Sequence, residues 1–237
     1  MHKAMQLDHP APLSTRPLAW RDVATPTPGP GELLIRVAAC GVCRSNLHMI
    51  VGDWIDGGLP AISPIVPGQE VTGTVADVGA DVEGFAPGDR VGVQPLWWTC
   101  EECEYCTSGR EQYCLRRRIT GEMVDGGYAE YMISTAAHTY RVPAELDLVE
   151  AAPLFCPGIT AYGAISRLDL TPGSKLAVFG LGGVGHMAVQ FARLAGAEVT
   201  AVARGRDHLG HVAAPQLLWR HVERRPLPHV ADVARAL

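Results

Sequence analysis

Four cysteines fall within the segment TCEECEYCTSGREQYC, at Cys100, Cys103, Cys106 and Cys114, a C-x2-C-x2-C-x7-C array. Glu101, Glu102, Glu104, Arg110 and Glu111 make the surrounding lobe polar, so burial in an apolar core does not explain the thiols. Four thiolates on a short lobe can close a tetrahedron around one zinc ion and leave no open position, the arrangement of a structural site. Soft sulfur donors favour zinc or iron–sulfur over hard cations, and zinc is the preferred reading here. A fold carrying this lobe must present it as a compact excursion.

The remaining composition narrows the classes. With 237 residues the chain can bury a core and hold one large domain or two. Hydrophobic residues at 47% and charged residues at 19% suit a globular protein rather than a disordered one. A net charge of −5 gives no electrostatic reason to expect a nucleic-acid partner, and Arg116-Arg117-Arg118 reads as a solvated turn. No apolar run reaches membrane-spanning length, and the start MHKAMQLDHPAPL lacks the apolar stretch of a secretory signal. No membrane association and a cytoplasmic address are therefore expected. In a reducing compartment clustered thiols are metal ligands more often than disulfides.

Residues 1–150 read as short strands punctuated by Gly and Pro. LLIRV (33–37), EVTGTVADV (70–78), RVGVQP (90–95), YAEYMI (128–133) and TYRVP (139–143) favour β structure, with TPTPGPGE, FAPGDR and VDGG as turns. A barrel-like β domain is predicted. Over 151–237 the pattern changes: helical spacing broken around Pro157-Gly158, then strand (175–180), glycine loop, helix (184–195) and strand (198–203), a βαβ unit. The predicted class is α/β, with the boundary near 145–155.

Three cysteines remain. In CGVCRSNLH, Cys40 and Cys43 could be a disulfide, a redox pair or one corner of a metal site. Cys40 ends the apolar strand LLIRVAAC and reads as a packed side chain. Cys43, Cys156 and Gly68-Gln69-Glu70 make a second candidate metal constellation, which spacing alone does not link.

Taken together, CGVCRSNLH, PGQEVTGTVADVG, LFCPGITAY, the four-cysteine lobe and GLGGVG resemble the zinc-dependent medium-chain alcohol dehydrogenases over residues 1 to about 206. The resemblance implies a GroES-like β-barrel catalytic domain followed by a partial Rossmann domain. It implies two zinc ions, one catalytic and one structural, and hydride transfer between a small alcohol or aldehyde and NAD(P). Cys43 and Cys156 would be thiolate ligands of the catalytic zinc, with Glu70 behind the metal and able to approach it. Ser45 would accept the substrate proton, His48 would pass it towards solvent, and Arg44 would face the cofactor pyrophosphate. Trp54 and Trp97 would edge the substrate cleft. A zinc ion held by three protein ligands with one position open makes an alcohol more acidic. The resemblance makes a homo-oligomer possible for the full-length family, and none is expected for this chain.

Two residues depart from the family. Gln69 stands where the family has its third ligand, a histidine, and Asn46 where an aspartate steadies that imidazole. A coupled change is expected: Asn46 Oδ1 accepting a hydrogen bond from Gln69 Nε2, Gln69 Oε1 turned to the metal, and Glu70 supplying the stronger oxygen. The competing reading is a catalytically silent zinc-binding remnant.

Gly180, Gly182, Gly183, Val184 and Gly185 lie in G-x-G-x-x-G, between an apolar strand and a helix, the context that lets backbone approach a pyrophosphate. The second strand ends in Ala203-Arg204, where an NAD site would place an acid, so NADP is favoured. The tail from His208 resembles nothing in the family. Its histidines His208, His211, His221 and His229 form no ligand set, and a frameshift or truncated frame near 206–210 is expected.

Overall fold

The computed structural model describes residues 1–203 and 218–221. In chain order its first unit, Met1–Cys156, begins with β1 (His2–Leu7), β2 (Leu18–Val23), β3 (Glu32–Gly41) and α1 (Arg44–Val51). It continues through β4 (Glu70–Val78), β5 (Arg90–Val93), β6 (Leu96–Trp98), α2 (Glu104–Thr107) and β7 (Arg118–Ile119). β8 (Tyr131–Thr135), β9 (Thr139–Arg141) and α3 (Leu148–Ala151) complete it. The second unit starts at Pro157, with α4 (Pro157–Ile165), β10 (Lys175–Phe179), α5 (Gly183–Leu194), β11 (Glu198–Ala203) and β12 (Leu218–His221).

The first unit is organised by a five-stranded antiparallel sheet in the order β8-β3-β4-β5-β9. Its β-branched and aliphatic residues face inward at every second position, and Leu33, Ile35, Val71, Val75, Val91, Val93 and Met132 form one buried cluster. β3 runs longer than its apolar run suggested, and register shifts after Leu34 and Val37 interrupt the regular pairing of this strand with β4. The register then pairs Gly41 with Glu70 and Cys40 with Val71. Hence the segment after β3 and the start of β4 lie side by side, although about thirty residues separate them. β4 spans the same residues as EVTGTVADV, whereas β8 starts three residues later than expected. The delay has a cause: Tyr128 N–H is taken by the Pro67 carbonyl, and Glu130 N–H by Lys3.

The second unit contains a parallel sheet, β10-β11-β12. α5 connects β10 to β11 and buries Ala188, Val189 and Ala192 with Val199 and Ala201. Its small residues suit close helix–sheet packing. This is the predicted βαβ unit, extended by β12, a strand that the sequence pattern did not single out. Arg204, His208, His211 and His229 lie outside the described residues, and of His221 only the strand is described. Among the described residues no single helix is long and apolar enough to cross a membrane.

Candidate functional site

The β3–β4 register delivers the first unit's central cluster. Cys43 is the extended residue (φ −72°, ψ 144°) that caps α1, two positions past Gly41. A Cβ at Gly41 would collide with the Glu70 carboxylate, so the glycine lets that carboxylate lie against the chain. Cys156 ends the short helical turn Ala152–Phe155. The Phe155 ring packs where a Cβ on Gly92 of β5 would sit, which ties this turn to the sheet. One ligand atom from each of Cys43, Glu70 and Cys156 lies within 4.8 Å of the others. Their positions in the sequence span more than a hundred residues, so the fold alone unites them.

The preceding turn is rigid. Gly68 has φ +106°, and a Cβ there would lie 2.7 Å from the Tyr128 ring and 2.8 Å from Cys40 Sγ. Gly121 and Gly126 pack on the backbone of Gly68, and Gly127 N–H donates to the Gly68 carbonyl at 3.0 Å. Cys40 fills the same junction. Burial pushes its thiol up to about 12, so it stays protonated and packs, outside the Cys43–Glu70–Cys156 group.

Gln69 and Glu70 are both buried. Gln69 Nε2 donates to Ser45 Oγ at 2.6 Å and lies 3.6 Å from Cys156 Sγ. Ser45 Oγ in turn donates to Cys43 Sγ at 3.0 Å, and the two sulfurs are 3.5 Å apart. The expected Asn46–Gln69 bond is therefore corrected. Asn46 Oδ1 accepts instead from the Tyr128 hydroxyl at 3.5 Å, and the Gln69 amide N–H is taken by Ser45. Two buried polar atoms, Gln69 Oε1 and Asn46 Nδ2, are left without a partner, an arrangement that is costly unless something satisfies it.

The cluster perturbs its own acids. The hydrogen bond from Cys156, opposed by burial and aided by Ser45, pulls the Cys43 thiol down to about 5. The same contact pushes the Cys156 thiol up, so the pair shares one proton. Burial, then the Cys43 charge, pushes Glu70 up to about 7. Glu122, buried and also pushed up to about 7 first by burial, feels the Cys43 charge as well.

The four-cysteine lobe closes on itself. The four sulfurs lie within 4.8 Å of one another, with Cys103–Cys106 and Cys114–Cys100 at 3.5 Å and Cys100–Cys106 at 3.8 Å. Among the described residues, this set and Cys43–Glu70–Cys156 are the two groups that could hold a metal ion. All seven thiols are free.

Arg44 is the exposed first residue of α1. His48 Nδ1 lies 2.6 Å from Asp53 Oδ2, and Trp54 stacks on its ring. Trp97 lies apart from the Cys43–Glu70–Cys156 group. Its indole N–H donates to the Ile133 carbonyl, and it lines a cavity of about 330 Å³ with His2 and Tyr131, a cavity whose lining contains none of Cys43, Gln69, Glu70 or Cys156. Residue-type reasoning missed Asp53, Glu122 and Tyr128. For Asp53 a signal existed, an acid five residues after a helical histidine with a glycine between.

In the second unit each loop glycine has a distinct setting. Gly180 adopts φ +85°, and Gly182 is the extended N-cap of α5. A Cβ at either would meet no atom within 4 Å, whereas one at Gly185 would strike the Gly180 carbonyl. Gly183 opens α5, and Val184 is exposed. The first two glycines thus leave backbone open to a ligand, and Gly185 sets the close helix–strand approach.

A family model, the alcohol dehydrogenase GroES-like domain, matches residues 29–144. The alcohol dehydrogenase of Geobacillus stearothermophilus is 42% identical over 194 residues, covering 82% of this chain and 57% of that protein. The structure of the Aeropyrum pernix alcohol dehydrogenase superposes with a TM-score of 0.82 at 32% identity, over 98% of this chain and 68% of that one. A cobalt- and zinc-bound thermostable alcohol dehydrogenase of Pyrobaculum aerophilum gives 0.79 at 34% identity, over 92% and 65%. A GroES-like sheet followed along the chain by a glycine-loop βαβ unit is the architecture of a medium-chain dehydrogenase. The chain belongs to the zinc-dependent medium-chain alcohol dehydrogenase family. It spans a little over half the length of the curated relatives it matches.

Proposed function

We propose that this chain carries the zinc-binding and dinucleotide-binding parts of an alcohol dehydrogenase, which moves hydride between a small alcohol or aldehyde and NAD(P). The observation that carries the reading is the convergence of Cys43, Glu70 and Cys156. Two soft sulfurs and one carboxylate oxygen suit a divalent zinc ion with a position left open, and four sulfurs at Cys100, Cys103, Cys106 and Cys114 suit a closed one. The orphaned Gln69 Oε1 adds an oxygen donor beside the first set. Zinc bound there would supply Lewis acidity to the substrate oxygen.

The chain's own residues manage the rest. Cys43 and Cys156 would hold the metal, and Glu70 would supply an anionic third ligand where the family has a neutral imidazole. Ser45 takes the proton of the substrate hydroxyl, and His48 hands it to solvent. Gly180, Gly182, Gly183, Val184 and Gly185 seat the pyrophosphate at the start of α5. The hydride acceptor is the nicotinamide, whose chemistry belongs to the cofactor. Ala203, small and buried at the end of β11, supports NADP over NAD. Arg204 would pair with the extra phosphate.

A second reading, a catalytically silent zinc-binding remnant, is favoured by Gln69, which turns its amide N–H rather than its carbonyl towards the sulfurs. The test is NADPH oxidation with butanal before and after adding zinc. Turnover that appears on zinc addition supports the enzyme. Two zinc ions bound per chain with no turnover supports the remnant.

A further inference from the structure

We propose that Glu122 is a specificity-determining residue, whose buried carboxylate receives the ammonium group of an amino alcohol or of the matching amino aldehyde. The inference rests on the dehydrogenase reading above and names a substrate class for it.

The residue is placed by its main chain. Gly121 packs on the backbone of Gly68, the residue before Gln69 and Glu70. Glu122 N–H donates to the Ile119 carbonyl at 3.3 Å, and its own carbonyl accepts from Ala61 N–H at 2.9 Å. Glu122 is thereby fixed between the turn that carries Gln69 and Glu70 and the loop that follows Trp54. It is 7% exposed. Among the described residues no hydrogen bond or ion pair reaches its carboxylate.

The charges around it are unbalanced. Burial first, and then the nearby Cys43 thiolate, hold the Glu122 carboxyl up at about 7. The cation that pulls it down, Arg117, is exposed and gives Nη1 to the Cys114 carbonyl at 3.0 Å. Glu122 belongs to neither of the groups that could hold a metal ion, so co-ligands for a metal are missing beside it. A buried anion without donors is costly until a cation pairs with it. An ammonium group brings a positive charge and three N–H donors, whereas a plain alkyl end leaves the anion unpaired. Glu122 therefore discriminates at the end of the substrate remote from the hydroxyl and takes no part in the chemical step.

Butan-1-ol and 3-aminopropan-1-ol match in length and differ by a methyl against an ammonium, so the pair makes the test. Their affinities for the zinc-loaded chain are measured by saturation-transfer NMR at pH 8.5, where the Glu122 carboxyl is ionised and the amine charged. The amino alcohol is expected to bind at least about tenfold tighter, and Glu122→Gln to abolish that preference while changing butan-1-ol affinity by less than about twofold. Equal affinities in the unsubstituted chain, or weaker binding of the amino alcohol, overturn the proposal. So does a preference that survives Glu122→Gln, which would put the amine on the metal or on another acid. In a preparation that turns over, kcat/KM should show the same preference, and its absence there also overturns the proposal. If neither alcohol is oxidised, the dehydrogenase reading fails, and the binding comparison still decides what Glu122 recognises.

Discussion

Gln69 donates through Nε2 to Ser45 Oγ at 2.6 Å, and Ser45 passes a hydrogen bond on to Cys43 Sγ. An amide, a hydroxyl and a sulfur thus form one relay, in which the residue standing at the family's histidine position serves the thiol before any metal.

Restoring the imidazole is expected to strengthen this site. Gln69→His should raise zinc affinity at least about tenfold, and adding Asn46→Asp should give a further 10- to 100-fold, by orienting the ring. Asn46→Asp alone should do little, because Asn46 faces Tyr128 rather than Gln69. Competition with a chromophoric chelator, with the four-cysteine lobe already filled, measures all three. An equal gain from Asn46→Asp alone would show that the two positions act independently.

Glu70 makes zinc binding depend on pH. Its carboxyl, raised from 4.5 to about 7, must lose a proton before it can ligate. Affinity should therefore weaken as pH falls below about 7, by about one log unit per pH unit for this proton. Glu70→Gln should remove that one unit from the slope. In the metal-free chain the sign for folding is the reverse. A carboxyl with a raised pKa favours the fold most below 4.5 and loses that contribution as pH rises through about 7. The difference in urea midpoint between Glu70→Gln and the unsubstituted chain should accordingly widen in favour of the variant across that window.

The two thiol clusters should be separable. Cys106→Ser is expected to remove one zinc per chain and to lower Tm clearly, since a closed structural site contributes folding energy. Cys43→Ser should remove the other zinc with a smaller change in Tm. Elemental analysis paired with thermal unfolding checks both, and loss of the same zinc in both variants would contradict two independent sites.

The glycine loop offers a matched pair. Gly185→Ala pushes a methyl into the Gly180 carbonyl and should cost about 1–3 kcal/mol of stability. Gly182→Ala meets no protein atom, so Tm should hold while NADPH binding weakens at least tenfold, as seen by calorimetry. Unimpaired NADPH binding in Gly182→Ala would place the dinucleotide elsewhere.

Much of this was legible where local chemistry repeats. EVTGTVADV became β4 residue for residue, and G-x-G-x-x-G between an apolar strand and a helix became the loop opening α5. The four-cysteine lobe is a local device whose spacing encodes its closure. What the sequence did not reveal depends on contacts across the fold. Gln69 and Asn46 were paired by analogy with a histidine–aspartate couple, but Ser45 lies one residue before Asn46 and reaches the amide first. Trp97 donates its indole N–H to the Ile133 carbonyl, a contact that no local pattern announces. Glu122 sits in a turn without any pattern, and only tertiary packing buries it near Cys43.

The glycines that crowd Gly68 leave its neighbours no slack. Gly121 and Gly126 pack on it, Gly127 N–H holds its carbonyl, and Tyr128 and Cys40 close the remaining space, so the main chain bearing Gln69 and Glu70 is tightly packed. Adaptation at this position therefore has to come from swapping donor atoms on a fixed backbone. A glutamine in place of a histidine there keeps the same main-chain path while changing the hardness of the donor beside the metal.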